Sequence, residues 1–93
     1  MNGKLEGKIA LVTGSSRGVG RLVATALASL GCKTVYCHGR TEEACAETAR
    51  EVEKAGAKAV IVAAELSKPD EVDRLASRLL AEGGVDILYN NAA

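Results

Sequence analysis

The sequence has 93 residues, enough for one small domain, and with 47% hydrophobic and 26% charged residues its composition is that of a globular protein. Twelve basic and twelve acidic residues, mixed along the chain, give a formal net charge of zero, which argues against a nucleic-acid or membrane-surface partner. The longest uncharged apolar run, residues 59–64, is too short to cross a bilayer and suits a buried strand.

The cysteines indicate a reducing compartment. Cys32, Cys37 and Cys45 are odd in number and match no metal-ligand spacing. We therefore expect buried, reduced thiols in a cytoplasmic protein, and no metal site.

The first half of the chain predicts a strand, a helix and a second strand. Residues 8–13 form the first strand, and the next element is a helix that ends at Gly31. Thr34 to Cys37 form the second strand, which residues 38–40 close. The apolar residues of the helix recur at helical spacing: Leu22, Val23, Ala26, Leu27 and Leu30.

The second half continues the alternation. Thr41 is a good N-cap for a second helix that ends at Gly56, and residues 58–64 form the third strand. Residues 67–70 start a third helix, which Gly83 and Gly84 stop before a fourth strand at 86–90. The predicted inner faces are Cys45, Thr48, Ala49 and Val52 in the second helix, and Val72, Leu75, Ala76, Leu79 and Leu80 in the third.

Strands that alternate with helices of this length predict an α/β fold with a parallel sheet. Right-handed crossovers favour the strand order 3-2-1-4, with three helices and a switch point between strands one and four. Ligands bind such sheets at the carboxyl ends of the strands, where residues 14–20 and 90–92 both lie.

The glycine-rich turn between the first strand and the first helix predicts a phosphate site. A diphosphate needs bare backbone amides near the positive end of a helix dipole. Gly14 would make the turn, Gly18 would let the diphosphate approach, and Gly20 would let the helix pack on the sheet. Glycines in such a turn can also be purely structural, but the strand-turn-helix context favours a nucleotide.

Three motifs, in order, resemble the classical short-chain dehydrogenase/reductase family. Residues 7–20 look like its opening, residues 65–66 fall where the family has an acid and an aliphatic residue, and residues 90–93 look like its N-N-A-G. The resemblance implies a three-layer Rossmann-type fold, here truncated after strand four, with residues 1–93 as a partial dinucleotide-binding domain. The reaction it implies is hydride transfer between a nicotinamide and an alcohol or carbonyl, as in 3-oxoacyl-carrier-protein reductases.

The resemblance also implies cofactor contacts beyond the three glycines. Glu65 and Leu66 would contact the adenine, and Asn90, Asn91 and Ala92 would border the two riboses; Asn90 has the alternative role of pinning strand four to its neighbours. The remaining predicted contacts are Ser16, Arg17, Val19, His38 and Arg40.

The end of strand two favours NADP(H) over NAD(H). NAD-binding folds place an acid there to hold the ribose hydroxyls, and this sequence has none. Arg17 and Arg40 would instead bracket a 2′-phosphate, favouring it by about 10- to 100-fold if each charge-assisted bond contributes roughly 1.5–3 kcal/mol. Alternatively both arginines are solvated, and Glu42 or Glu43 reaches a ribose hydroxyl. His38 is expected to line the adenosine ribose or to face solvent.

No catalytic residue is identified. The family uses a Ser, a Tyr and a Lys four residues after the Tyr, whereas Tyr36 is followed at that spacing by Arg40 and Tyr89 by Ala93. The 93 residues are therefore expected to be inactive alone. A non-enzymatic nucleotide-binding module and a fragment that binds no nucleotide usefully remain as alternatives. Strand four, as an apolar edge, predicts self-association.

Overall fold

The computed structural model describes residues 4–91, with four strands and three helices in strict alternation. The strands are β1 (Ile9–Thr13), β2 (Thr34–Gly39), β3 (Lys58–Ala63) and β4 (Ile87–Asn90). The helices are α1 (Gly18–Ser29), α2 (Glu42–Lys54) and α3 (Pro69–Ala81). The predicted number and order of elements is confirmed.

The strands form one parallel sheet in the predicted order β3-β2-β1-β4. The largest boundary difference is at β2, predicted to end at Cys37. It continues through His38 and Gly39, because these residues pair with Val62 and Ala63 of β3. His38 therefore lies inside the sheet, which affects its predicted role.

The sheet separates two apolar layers, as its alternating side chains require. On one face, Val12 and Val35 pack with Ala24 of α1 and Val52 of α2. On the other, Leu11, Tyr36 and Val62 pack with Leu79 of α3. The three-layer Rossmann-type architecture is confirmed. No helix among residues 4–91 has the length and apolar character needed to cross a bilayer.

The buried faces of α1 and α3 do not coincide with the apolar residues that identified these helices. In α1 the buried residues are Gly20, Ala24 and Ala28, whereas Leu22 and Ala26 are exposed. Gly20, at the start of the helix, lies in direct contact with the turn beneath it, where even a Cβ would not fit. Apolar spacing identified the helix, but the small residues identify its inner face.

In α3 only Leu79 is buried and Leu75 is partly buried. These two pack with Tyr36, Val60 and Val62 over β2 and β3. The predicted inner-face residues Val72, Ala76 and Leu80 are exposed, because within residues 4–91 the helix is covered only on the side that faces the sheet.

Candidate functional site

A cleft of about 1270 Å³ lies at the carboxyl ends of β1, β2 and β3, beside the switch point between β1 and β4. Its volume exceeds the ~300–1,000 Å³ that drug-sized ligands occupy, so it has room for an extended ligand. Ten of the predicted site residues line it: Gly14, Ser16, Arg17, Gly18, Val19, His38, Arg40, Glu65, Leu66 and Asn91.

The start of α1 faces this cleft without a cap. The N-cap residue, Arg17, makes no side-chain capping hydrogen bond, and the first turn of the helix carries no acidic residue. Gly18 has a φ of +59°, which turns the chain into the helix, and a Cβ there would meet no atom within 4 Å. The amides of a first helical turn have no partner within the helix and carry the positive end of its dipole. This geometry suits an anion such as a diphosphate.

Gly20 lies beneath the cleft and packs the helix onto the turn, as predicted. A Cβ at this position would lie 2.3 Å from the Gly14 carbonyl oxygen and 2.9 Å from the Ser15 Cα. Both are backbone atoms that the sheet holds in place, so glycine is required for this close approach.

A buried hydrogen-bond network fixes the turn from the side of α1 and α2. Thr48 of α2 donates to the Ser15 carbonyl over 2.6 Å and accepts from Arg21 Nε over 2.9 Å. Arg21 also donates to the Ser16 carbonyl over 2.6 Å. Sequence reasoning missed Arg21 as a site residue. The sequence offered two signals: Arg21 lies in the first turn of α1, and Thr48 is a polar residue on the predicted inner face of α2.

Replacing Thr48 by valine is expected to destabilise the protein by about 1–3 kcal/mol, because Ser15 and Arg21 each lose a buried partner. Urea unfolding measures the change. Thr25→Val is the matched control, since the Thr25 hydroxyl donates only to the Arg21 carbonyl of its own helix. Equal losses in the two variants would contradict the role given to Thr48.

His38 does not face solvent, so that alternative is wrong. Its side chain is buried, because β2 extends past it and the strand ladder directs the ring toward the turn. The ring Nδ1 accepts from the Gly14 amide over 3.0 Å, and Nε2 lies 2.9 Å from the Ala64 carbonyl oxygen. Both ring nitrogens therefore already have backbone partners.

The cleft carries more cations than carboxylates. Arg17, Arg21 and Arg40 line it, and Glu65 is the carboxylate that the structure places among its lining residues. Arg40 Nε lies 3.2 Å from Glu65 Oε1, with 84% of the Arg40 side chain exposed. The Ser67 hydroxyl and then Arg40 hold the pKa of Glu65 below its ordinary value, so this carboxylate is charged at neutral pH.

The end of β4 is tied to the end of β1. The Thr13 hydroxyl donates to Asn90 Oδ1 over 2.9 Å and accepts from the Asn91 amide. Asn91 Nδ2 donates to the Gly14 carbonyl over 3.1 Å, so Asn91 contacts the turn itself. Asn90 has the pinning contact considered from the sequence. The predicted contact at Ala92 lies outside the described residues.

All three cysteines are buried free thiols, as predicted, and within residues 4–91 no cluster of metal-ligating side chains is present. Burial, reinforced by the charges of Cys45 and Glu53, raises the pKa of the Cys37 thiol to about 12. Burial also raises the pKa values of Cys32 and Cys45. The cytoplasmic location expected from these cysteines stays a prediction.

Because thiolates are the reactive form, we expect all three cysteines to resist thiol reagents in the folded protein and to react after unfolding. An Ellman titration with and without denaturant measures this. Rapid modification of any of them in the native state would contradict the burial described for the thiols.

A second cleft, of about 450 Å³, lies between the end of β3 and α3. Its Arg74 and Arg78 are paired with Asp70 and Glu82. The first turn of α3, which borders this cleft, carries the acidic residues Asp70 and Glu71. With its arginines paired and an acidic helix start, this cleft is a poor anion site, and the cleft at the glycine turn is the better candidate.

Comparison with known proteins agrees with this geometry. The model of the short chain dehydrogenase family matches residues 8–93. Versicolorin reductase stcU of Emericella nidulans is 36% identical over 92 residues, covering 98% of this chain and 35% of the relative.

Two solved structures have a similar fold over nearly all of this chain. The Pseudomonas aeruginosa RhlG/NADP active-site complex superposes with a TM-score of 0.87 at 39% identity, over 98% of this chain and 36% of that one. The 3-oxoacyl (acyl-carrier-protein) reductase of Agrobacterium tumefaciens with NADP bound gives a TM-score of 0.87 at 38% identity, over 96% and 34%. The chain thus spans about a third of the length of these proteins. It belongs to the short-chain dehydrogenase family.

Proposed function

We propose that this chain is the NADP(H)-binding portion of a short-chain oxidoreductase that transfers hydride between a nicotinamide and an alcohol or carbonyl substrate. The observation that carries the proposal is the uncapped start of α1, which faces the cleft at the strand ends. Relatives of similar fold that carry NADP support it. When bound, the nicotinamide would supply the hydride chemistry.

The chain's own residues would bind and orient the dinucleotide. The amides at the start of α1 would hold the diphosphate, with Gly18 allowing close approach. Glu65 and Leu66 would border the adenine, while Asn90, Asn91 and Ala92 would border the riboses. The catalytic Ser, Tyr and Lys of the family have no counterpart in the 93 residues, so we propose that they do not turn over substrate by themselves.

The preference for NADP(H) rests on charge. Arg17, at the start of α1, and Arg40, directly after β2, are both exposed and line the cleft. Glu42 and Glu43, the competing ribose ligands, lie in the first turn of α2 and are exposed; neither lines the cleft. A 2′-phosphate would compete with Glu65 for Arg40, and the two arginines together would still give a net attraction.

Calorimetric titration with NADP⁺ and NAD⁺ tests the proposal. We expect both to bind and NADP⁺ to bind more tightly, with no oxidation of NADPH when a carbonyl substrate is added to the 93-residue chain. Binding of neither dinucleotide would contradict the proposal and favour a fragment that keeps only the fold. Turnover of a carbonyl substrate would contradict the proposed inactivity alone.

We also propose that the 93-residue chain associates with itself through β4. This strand is an edge of the sheet, with Leu88 62% and Tyr89 39% exposed. Apolar edges with unpaired backbone groups pair with other chains. Sedimentation is expected to show concentration-dependent association that Leu88→Lys reduces, whereas a monomer at every concentration would contradict the proposal.

A further inference from the structure

His38 joins three segments that border the cleft. The residue is 3% exposed. Its ring nitrogens contact the Gly14 amide, at the start of the phosphate turn, and the Ala64 carbonyl, one residue before Glu65. An amide can only donate and a carbonyl can only accept. The two partners therefore require a neutral ring with its proton on Nε2.

The backbone of His38 is also hydrogen-bonded to the same turn. Its carbonyl accepts from the Ser15 amide over 2.9 Å and from the Ser15 hydroxyl over 3.3 Å. Its amide donates to the Ser15 hydroxyl over 3.0 Å. The backbone of His38 thus holds Ser15, and the ring adds a hydrogen bond to a second residue of the turn, Gly14. The protonation state of the ring thus bears directly on the residue at which the turn leaves β1.

A second proton on the ring does not fit this arrangement. It would place an N–H on Nδ1 against the Gly14 N–H, at a separation of 3.0 Å between the nitrogens. From helix α2, the titratable group next to this strand end is the Cys45 thiol, which lies beside Gly39, the residue after His38. The charged groups that line the cleft with the ring are three cations and one carboxylate: Arg17, Arg21, Arg40 and Glu65. A buried imidazolium would therefore lose its contact with Gly14, in a cleft whose lining carries three cations and one carboxylate.

We infer that His38 is a positioning residue, whose neutral ring holds Gly14 where the phosphate turn can bind a dinucleotide, and that dinucleotide affinity therefore falls when the ring is protonated. This inference rests on the proposed function. It adds a pH response to the same site. An imidazolium that attracted the anion directly would instead raise the affinity in acid, so the sign of the pH effect distinguishes the two roles.

Two substitutions separate the two ring contacts. His38→Asn keeps an acceptor near the position of Nδ1, and the Asn side chain does not gain a proton between about pH 5 and pH 8. His38→Gln keeps a donor near the position of Nε2 and loses the acceptor for Gly14. NAD⁺ is the probe, because a 2′-phosphate monoester titrates near pH 6 by itself. We expect the wild-type affinity for NAD⁺ to be lower at about pH 5 than at about pH 8.

The Asn variant should bind NAD⁺ with an affinity that changes little over this range, and the Gln variant should bind about tenfold or more weakly at every pH, by the loss of one buried acceptor. Parallel pH profiles for wild type and the Asn variant would overturn the inference, and so would affinity that rises in acid. If the Gln variant does not fold, the comparison of wild type with the Asn variant decides.

A second measurement needs no ligand. The sequence contains one histidine, so its ring nitrogens are identified directly in a long-range ¹H–¹⁵N spectrum. We expect the proton on Nε2 at neutral pH, and a shift of the Gly14 amide resonance that follows ring protonation. A proton on Nδ1 would overturn the inference, and so would a Gly14 amide whose chemical shift does not change as the ring is protonated. Failure of both dinucleotides to bind would instead contradict the proposed function, and this spectrum would still test the role of His38.

Discussion

Replacing Gly20 by alanine is expected to destabilise the protein by about 3 kcal/mol or more, at or beyond the upper end of ordinary overpacking. The new Cβ would lie 2.3 Å from the Gly14 carbonyl oxygen and 2.9 Å from the Ser15 Cα. Neither backbone atom can move without breaking the contacts that Ser15 makes with His38 and Thr48. Urea unfolding measures the loss, and NADP⁺ affinity should fall with it.

Gly18→Ala provides the contrast. A Cβ at Gly18 meets no atom within 4 Å, so the cost is that of a left-handed residue, about 1–2 kcal/mol. Comparing the two variants distinguishes two reasons for a glycine in this turn: lack of space for a Cβ at Gly20, and a left-handed backbone conformation at Gly18. A Gly20→Ala variant that is no less stable than Gly18→Ala would contradict the close packing of α1 on the turn.

Replacing both Arg17 and Arg40 by alanine is expected to weaken NADP⁺ binding by about 10- to 100-fold and to leave NAD⁺ binding nearly unchanged. Both side chains line the cleft, and Arg40 is engaged there by Glu65. Their loss removes charge-assisted bonds that only the 2′-phosphate of NADP⁺ would receive. Calorimetric titration of both dinucleotides measures the change.

The matched control is Arg50→Ala with Arg74→Ala, which removes two exposed arginines that pair with Glu47 and Asp70 away from the cleft. This variant carries the same change in net charge, so it should retain the preference. An NADP⁺ preference that survives the loss of Arg17 and Arg40 would contradict the assignment. A preference lost equally in both variants would indicate long-range electrostatics rather than direct contacts.

The strand order and the position of the cleft were predictable because they follow from general constraints on the chain. Alternating strands and helices leave few topologies, and the carboxyl ends of parallel strands meet at one edge. The spacing of Gly14, Gly18 and Gly20 then placed the turn at that edge. In the structure Gly20 lies against the backbone of the turn, and a Cβ at Gly18 would meet no atom within 4 Å.

The supporting contacts were not predictable, because they depend on where side chains point once the sheet is assembled. His38 at a predicted strand end has the sequence signature of a surface residue, and only its pairing with Val62 turns the ring inward. Thr48 was assigned to the inner face of α2, but its link to Arg21 requires the two helices to lie side by side. The predicted inner face of α3 was wrong at Val72 and Leu80, which lie on the uncovered side of the helix.

Amide spectra recorded while NADP⁺ is added test the central claim most directly. If the uncapped start of α1 holds the diphosphate, the largest shifts should fall on the amides of residues 16–20, with smaller ones at the ends of β2 and β3. Shifts confined to the smaller cleft beside α3, or a glycine turn that does not respond to saturating NADP⁺, would contradict it.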